Sequence, residues 1–152
     1  MRSPIALIAA SALVSTLALS AGCSQGTTED SPPPADAPPA VLGGIDLNQP
    51  LRAIGTEPFW GLDVTPQALG WSGVDQIVQT AANPGPEVQG TTATWRTETD
   101  KGALLVLTLI ATECSDGMSD RTYPLTARVE LGEQTFSGCA ATTAFLETAP
   151  KP

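Results

Sequence analysis

The sequence predicts an all-β fold, a small antiparallel β-barrel or sandwich of six to eight strands with one disulfide. Three observations carry this reading. Between Leu51 and Glu147 the apolar residues recur with a period of two rather than with helical spacing. Gly, Pro, Asp and Asn punctuate the same region at short intervals, as turns between strands require. Two cysteines, Cys114 and Cys139, fall inside it.

Taken in order, the first strand signal is Trp60, Leu62 and Val64 alternating with Gly61 and Asp63, closed by the turn T-P-Q. Leu69 and Trp71 mark a second short strand. A-A-N-P-G-P-E at 81–87 reads as a loop, and T-T-A-T-W-R-T-E-T turns Ala93, Trp95 and Thr97 inward. Residues 103–112, A-L-L-V-L-T-L-I-A-T, are apolar on both faces, as in a central strand. A buried helix is the alternative there, but the threonines, valine and isoleucine and the preceding D-K-G turn favour a strand. In 121–131, Tyr123, Leu125, Ala127, Val129 and Leu131 point one way and Thr122, Thr126, Arg128 and Glu130 the other. Q-T-F-S-G-C closes the domain. Trp60, Trp71 and Trp95 are core residues in this scheme, each with an indole N–H that needs a partner.

The chain before this domain has a different character. Residues 1–22 read as a secretory signal: Arg2 and the amino terminus are positive, and 5–19 is an apolar run without a charge. That run is shorter than the roughly 20 residues a spanning helix needs. It ends in L-A-L-S-A-G-C, which resembles the lipobox of bacterial lipoproteins at Ala21, Gly22 and Cys23 and departs from it at Ser20. The resemblance implies cleavage before Cys23 and a diacylglycerol on its thiol. Ordinary secretion with Cys23 left as a thiol is the plainer alternative. Each buried acyl methylene contributes about 0.8 kcal/mol, so two or three chains anchor where one does not. The expected location is the bacterial cell envelope, anchored in the membrane through Cys23 and facing the periplasm. Ser24, where aspartate marks inner-membrane retention in enteric bacteria, leaves sorting to the outer membrane open. Residues 23–50 then form a disordered Pro-rich tether, 51–147 the β-domain and 148–152 a disordered tail.

From Leu51 onward six Lys and Arg face twelve Asp and Glu. This balance argues against nucleic acid and anionic lipid surfaces, which demand basic patches, and fits a basic protein partner or simple solubility. In an oxidising envelope Cys114 and Cys139 read as a disulfide worth on the order of 3–4 kcal/mol. If Phe136 faces the core, strict alternation turns Cys139 outward, so a bulge at Gly138 is expected.

The sequence contains no histidine, which removes Ser–His and Cys–His catalysis and the common histidine-bound zinc sites. No glycine-rich phosphate loop or nucleophile elbow is present, and no cofactor is implied. Glu57, Asp63, Glu113, Asp116 and Asp120 offer carboxylates for glycan hydrolysis, but a dozen acids on a small domain make proximity inevitable. S-D-G-M-S-D around Gly117 lacks the ligand spacing of a calcium loop, so a turn is the better reading, with Arg121 pairing Asp116 or Asp120.

Two longer motifs, R-A-I-G-T-E-P-F-W at 52–60 and C-S-D-G-M-S-D-R-T-Y-P at 114–124, are followed by G-C at Gly138 and Cys139. Together they resemble an uncharacterised family of bacterial envelope lipoproteins. The resemblance implies a periplasm-facing lipoprotein with a small all-β domain and no transferable activity. Some relatives occur beside domains that inhibit c-type lysozymes, so inhibition of such an enzyme is an alternative to a non-enzymatic display role. A shared binding surface, for a basic protein or a small ligand, would involve Glu57, Phe59 and Trp60 near Asp116, Asp120 and Arg121. The competing reading buries Trp60 in the core and leaves Glu57-Pro58 to shape a strand entry.

Overall fold

The computed structural model describes residues 40–148. The signal segment, Cys23 and the tether up to residue 39 lie outside the described residues, as do 149–152. The described residues form the strands β1 (Val41–Leu42), β2 (Ile45–Asp46), β3 (Leu51–Thr56), β4 (Phe59–Val64), β5 (Ala68–Gly73), β6 (Gln79–Ala82) and β7 (Glu87–Gln89). Then come β8 (Thr92–Glu98), β9 (Leu104–Ile110), β10 (Cys114–Ser115), β11 (Thr122–Tyr123), β12 (Leu125–Leu131), β13 (Gln134–Thr142) and the short helix α1 (Thr143–Thr148).

Nine strands make one antiparallel sheet in the order β6-β5-β4-β3-β13-β12-β9-β8-β7. The sheet curls until its first strand meets its far edge. Ala81 on β6 bridges Thr99 just beyond β8, the Thr80 amide donates to Asp100 Oδ1 at 2.9 Å, and the Asp100 amide donates to the Thr80 carbonyl at 2.7 Å. The all-β prediction with a single disulfide therefore holds. The sheet has nine strands because β6 and β7 share one edge. β7 pairs with the start of β8 and β6 meets its end, with A-N-P-G-P between them supplying the break.

Alternation fills the interior as expected. Leu51, Ala53, Trp60, Leu62, Val64, Leu69, Trp71, Ala93, Trp95, Leu105, Leu107, Leu109, Leu125, Ala127, Val129, Leu131 and Phe136 form one buried cluster. Trp60 stacks on Trp71 with centroids 5.4 Å apart, and Phe136 lies 4.7 Å from Trp71. The indole N–H groups of Trp71 and Trp95 are buried without a hydrogen-bond partner among the described residues, contrary to the expectation that each finds one.

Four expectations are corrected here. Residues 40–50, assigned to the tether, are folded: the β1–β2 hairpin inserts Leu42 into the core and Leu47 follows it. Gly43 at φ +57° turns this hairpin where a Cβ would come 2.9 Å from that of Ala111. Second, Gly138 is no bulge. The β12–β13 register runs unbroken from Leu125↔Ala140 to Leu131↔Gln134, so Cys139 does point away from the barrel interior. It is buried nonetheless, in a small second core on the outer face with Tyr123, Ala141, Ile54, Cys114, Phe145 and Leu146. Third, the closing strand continues to Thr142, whose Oγ1 accepts the Phe145 amide at 3.1 Å and caps α1. Fourth, the strand expected over 121–131 is two strands, broken by Pro124, which has no N–H to give a ladder.

Candidate functional site

β3 and β4 form a hairpin whose closing pair is Thr56↔Phe59, leaving Glu57-Pro58 as a two-residue turn with a cis peptide. On the other side of β3, pairing with β13 runs from Leu51↔Thr142 to Ile54↔Cys139. Trp60 fills the space next to this point. A Cβ on Gly55 or on Gly138 would overlap the Trp60 indole, and one on Gly138 would also overlap the Ile54 carbonyl. The two glycines thus serve close approach to an aromatic ring.

Over the same place lies the β10–β11 hairpin, in which Cys114 pairs with Tyr123 and Ser115 with Thr122. Cys114 is bonded to Cys139 with Cα atoms 5.4 Å apart, as predicted. The hairpin loop is organised by one carboxylate. Asp116 Oδ1 accepts the Ser119 amide at 2.8 Å and the Met118 amide at 3.0 Å. Its Oδ2 accepts the Ser119 hydroxyl at 2.9 Å and the Tyr123 hydroxyl at 3.0 Å. Donation from the Ser119 amide, outweighing partial burial, lowers the Asp116 pKa to about 2. Burial, followed by the hydrogen bond to Asp116 and then its charge, raises that of Tyr123. The Arg121 guanidinium stands over the Tyr123 ring, 5.9 Å from its centroid.

A cleft of about 510 Å³ opens between the hairpin loop and the β3–β4 turn. Glu57, Thr56, Asp116, Met118, Ser137 and the disulfide line it, and the Thr56 hydroxyl donates to the Asp116 carbonyl at 3.1 Å across it. Of the six candidate residues, Glu57 and Asp116 share this cleft. Phe59 and Trp60 border a separate, shallow groove of about 290 Å³ with Arg52, Gly61, Ser72, Gly73 and Val74. Trp60 is buried and shows that groove an edge only. Asp120 is exposed and, like Arg121, stands outside the cleft lining. Thr56, Met118 and Ser137 escaped sequence reasoning. Thr56 adjoins Glu57 within the first motif and was available as a signal, whereas Ser137 needs the β13–β3 register.

Asp116 is not arranged for proton transfer. Both oxygens of Asp116 are taken by its own loop and its carboxyl is ionised at any ordinary pH, so it has neither a proton to donate nor a lone pair aimed at a substrate. Asp63, another carboxylate candidate, pairs with Arg52 at 2.6 Å. Among the described residues no three acidic or cysteine side chains converge as metal ligands. Comparison with known protein families, with curated proteins and with solved structures found no match.

Proposed function

We propose that the protein is an envelope lipoprotein, anchored through Cys23, that holds a non-enzymatic binding domain away from the membrane. The observation that supports the binding role is the cleft itself, because two sequence motifs separated by some fifty residues in the chain line it together and are tied by the Thr56–Asp116 hydrogen bond. Rigid backbone, a disulfide floor and a few polar groups around an open concavity suit a small ligand or a projecting side chain of a partner. The lipobox-like L-A-L-S-A-G-C supports the anchor, and the prolines at 32–34, 38 and 39 support an extended spacer. Mass spectrometry of the full chain expressed in a bacterial host tests the anchor. The expected mature protein begins at Cys23 and carries an acyl-glycerol adduct, and Cys23→Ser leaves the membrane fraction. A mature chain with a free Cys23 thiol sinks the anchor and leaves the cleft to be tested separately.

A further inference from the structure

A different surface carries a more specific inference. Alternation along β4 places Trp60, Leu62 and Val64 inside and leaves Phe59 outside, 55% exposed. The Val74 amide donates to the Phe59 carbonyl at 3.0 Å, which sets the β5–β6 loop beside this ring. That loop reads V-D-Q-I-V and leaves Val74 56%, Ile77 72% and Val78 63% exposed. Four large apolar side chains at the start of β4 and along the β5–β6 loop therefore stand in water, two of them, Phe59 and Val74, lining the shallow groove. Clustered exposure of this kind marks an interaction surface more often than scattered single residues do.

The charges around the patch choose among occupants. Asp75 lies within the loop itself. Glu133 adjoins Gln134, whose Oε1 accepts Gln76 Nε2 at 3.2 Å. Arg52, the cation that lines the groove, is neutralised by Asp63 at 2.6 Å. An apolar centre with an acidic border repels a second copy of itself and an anionic lipid surface. It complements a protein whose apolar spot is bordered by lysine or arginine.

We infer that Phe59, Val74, Ile77 and Val78 form a docking surface for a basic-rimmed protein partner. Ile77 and Val78 are the apolar anchors, while Asp75 and Glu133 set orientation and speed encounter. This surface is separate from the cleft beside the disulfide and does not depend on it.

The test uses residues 40–152 purified with the disulfide formed, and a fluorescent amphipathic peptide with leucine on one face and lysine on the other. Binding is followed by anisotropy at low and high salt. The wild-type domain is expected to bind the lysine peptide and to ignore its glutamate counterpart. Ile77→Ser combined with Val78→Ser should weaken binding about tenfold or more, and Glu133→Lys should weaken it chiefly at low salt. All three side chains are exposed, so thermal melting should show unchanged folding. Undiminished peptide binding by the double variant overturns the inference. So does a dimer of the wild-type domain by light scattering that the double variant abolishes, which makes the patch a self-interface. Flotation of the wild type with phosphatidylcholine vesicles, lost in the double variant, also overturns it.

Discussion

At the scale of single residues, Asp116 shows how a residue that looks catalytic is spent on structure. Its carboxylate holds two amides and two hydroxyls of the hairpin that contains it. Because folding lowers its pKa from 3.8 to about 2, the ionised form stabilises the native state above the unfolded value. That contribution disappears as pH falls from about 4 toward 2. After allowance for solvent screening it amounts to about 1 kcal/mol. Asp116→Asn should therefore be less stable than wild type at neutral pH, with the gap narrowing below pH 4, as followed by urea denaturation across that range. Tyr123 works with the opposite sign. Its raised pKa favours the folded state until pH climbs past its ordinary value near 10, so alkaline unfolding should begin there and should be weaker in Asp116→Asn. Gly138 makes a steric counterpart. Gly138→Ala forces a methyl group into the Trp60 ring and the Ile54 carbonyl and should cost about 2–3 kcal/mol. Because Trp60 stacks on Trp71, the same change should disturb the near-ultraviolet circular dichroism of the indoles, and an unaltered spectrum would show that the backbone absorbs the methyl elsewhere. Both residues were visible in the sequence as parts of motifs. Their roles were not, because neither a four-donor carboxylate nor a glycine under an indole announces itself without coordinates.

Elements were more legible where alternation had a single reading. Leu125, Ala127, Val129 and Leu131 all fall on buried positions of the interior cluster, because period two leaves a half-buried strand no other choice. Tyr123, expected on the same face, lies beyond Pro124 and is buried in the outer core instead. Reading failed where a strand buries both faces. Cys139 violates the inward pattern set by Phe136, and a bulge was the economical repair. The actual solution is a second apolar layer outside the sheet, built by α1 and the β10–β11 hairpin, so an outward residue is also buried. A helix of six residues, with Phe145 and Leu146 as its apolar contribution, gives too short a stretch for periodicity to reveal. The disulfide is the fastener of this layer. It ties the hairpin to β13 across a separation of 25 residues, which contributes about 3.5 kcal/mol on a loop-closure estimate. Cys114→Ser with Cys139→Ser should lower stability by roughly that amount. Amide exchange should rise first in 114–123 and in α1, while the β9–β12 ladder stays protected, because these segments pack on the outer core and not in the barrel. Uniform loss of protection across both layers would show that the outer core is not a separable unit.

At the scale of the whole molecule, the question is how a curled sheet avoids leaving its edges and ends open. The side closes where β6 meets the turn after β8. Thr99 is buried there, its hydroxyl donating to Gln79 Oε1 at 2.8 Å and accepting the Ala103 amide at 3.1 Å. One end closes through the chain that precedes β3. The Leu47 amide donates to the Ala40 carbonyl at 2.8 Å, and the Thr143 amide donates to the Pro50 carbonyl at 2.9 Å. These bonds hold 40–50 so that Leu42 and Leu47 fill the barrel end beside Ala111. Composition hid this plug: in V-L-G-G-I-D-L-N-Q-P the apolar residues form no sustained alternation, and its two glycines and single proline continue the character of the Pro-rich stretch before it. Yet Leu42 has no solvent exposure, and replacing such a residue by alanine removes packing on several sides at once. Leu42→Ala should cost about 3 kcal/mol, a large share of what a domain of this size possesses. The sharper test is the boundary itself. A chain beginning at Leu51 exposes the apolar residues that Leu42 and Leu47 cover, and it should melt well below a chain beginning at residue 40 and bind a hydrophobic dye. Equal melting temperatures for the two would show that residues 40–50 decorate a barrel already closed without them. The expected difference places the start of the domain at the plug, where Leu42 enters the core.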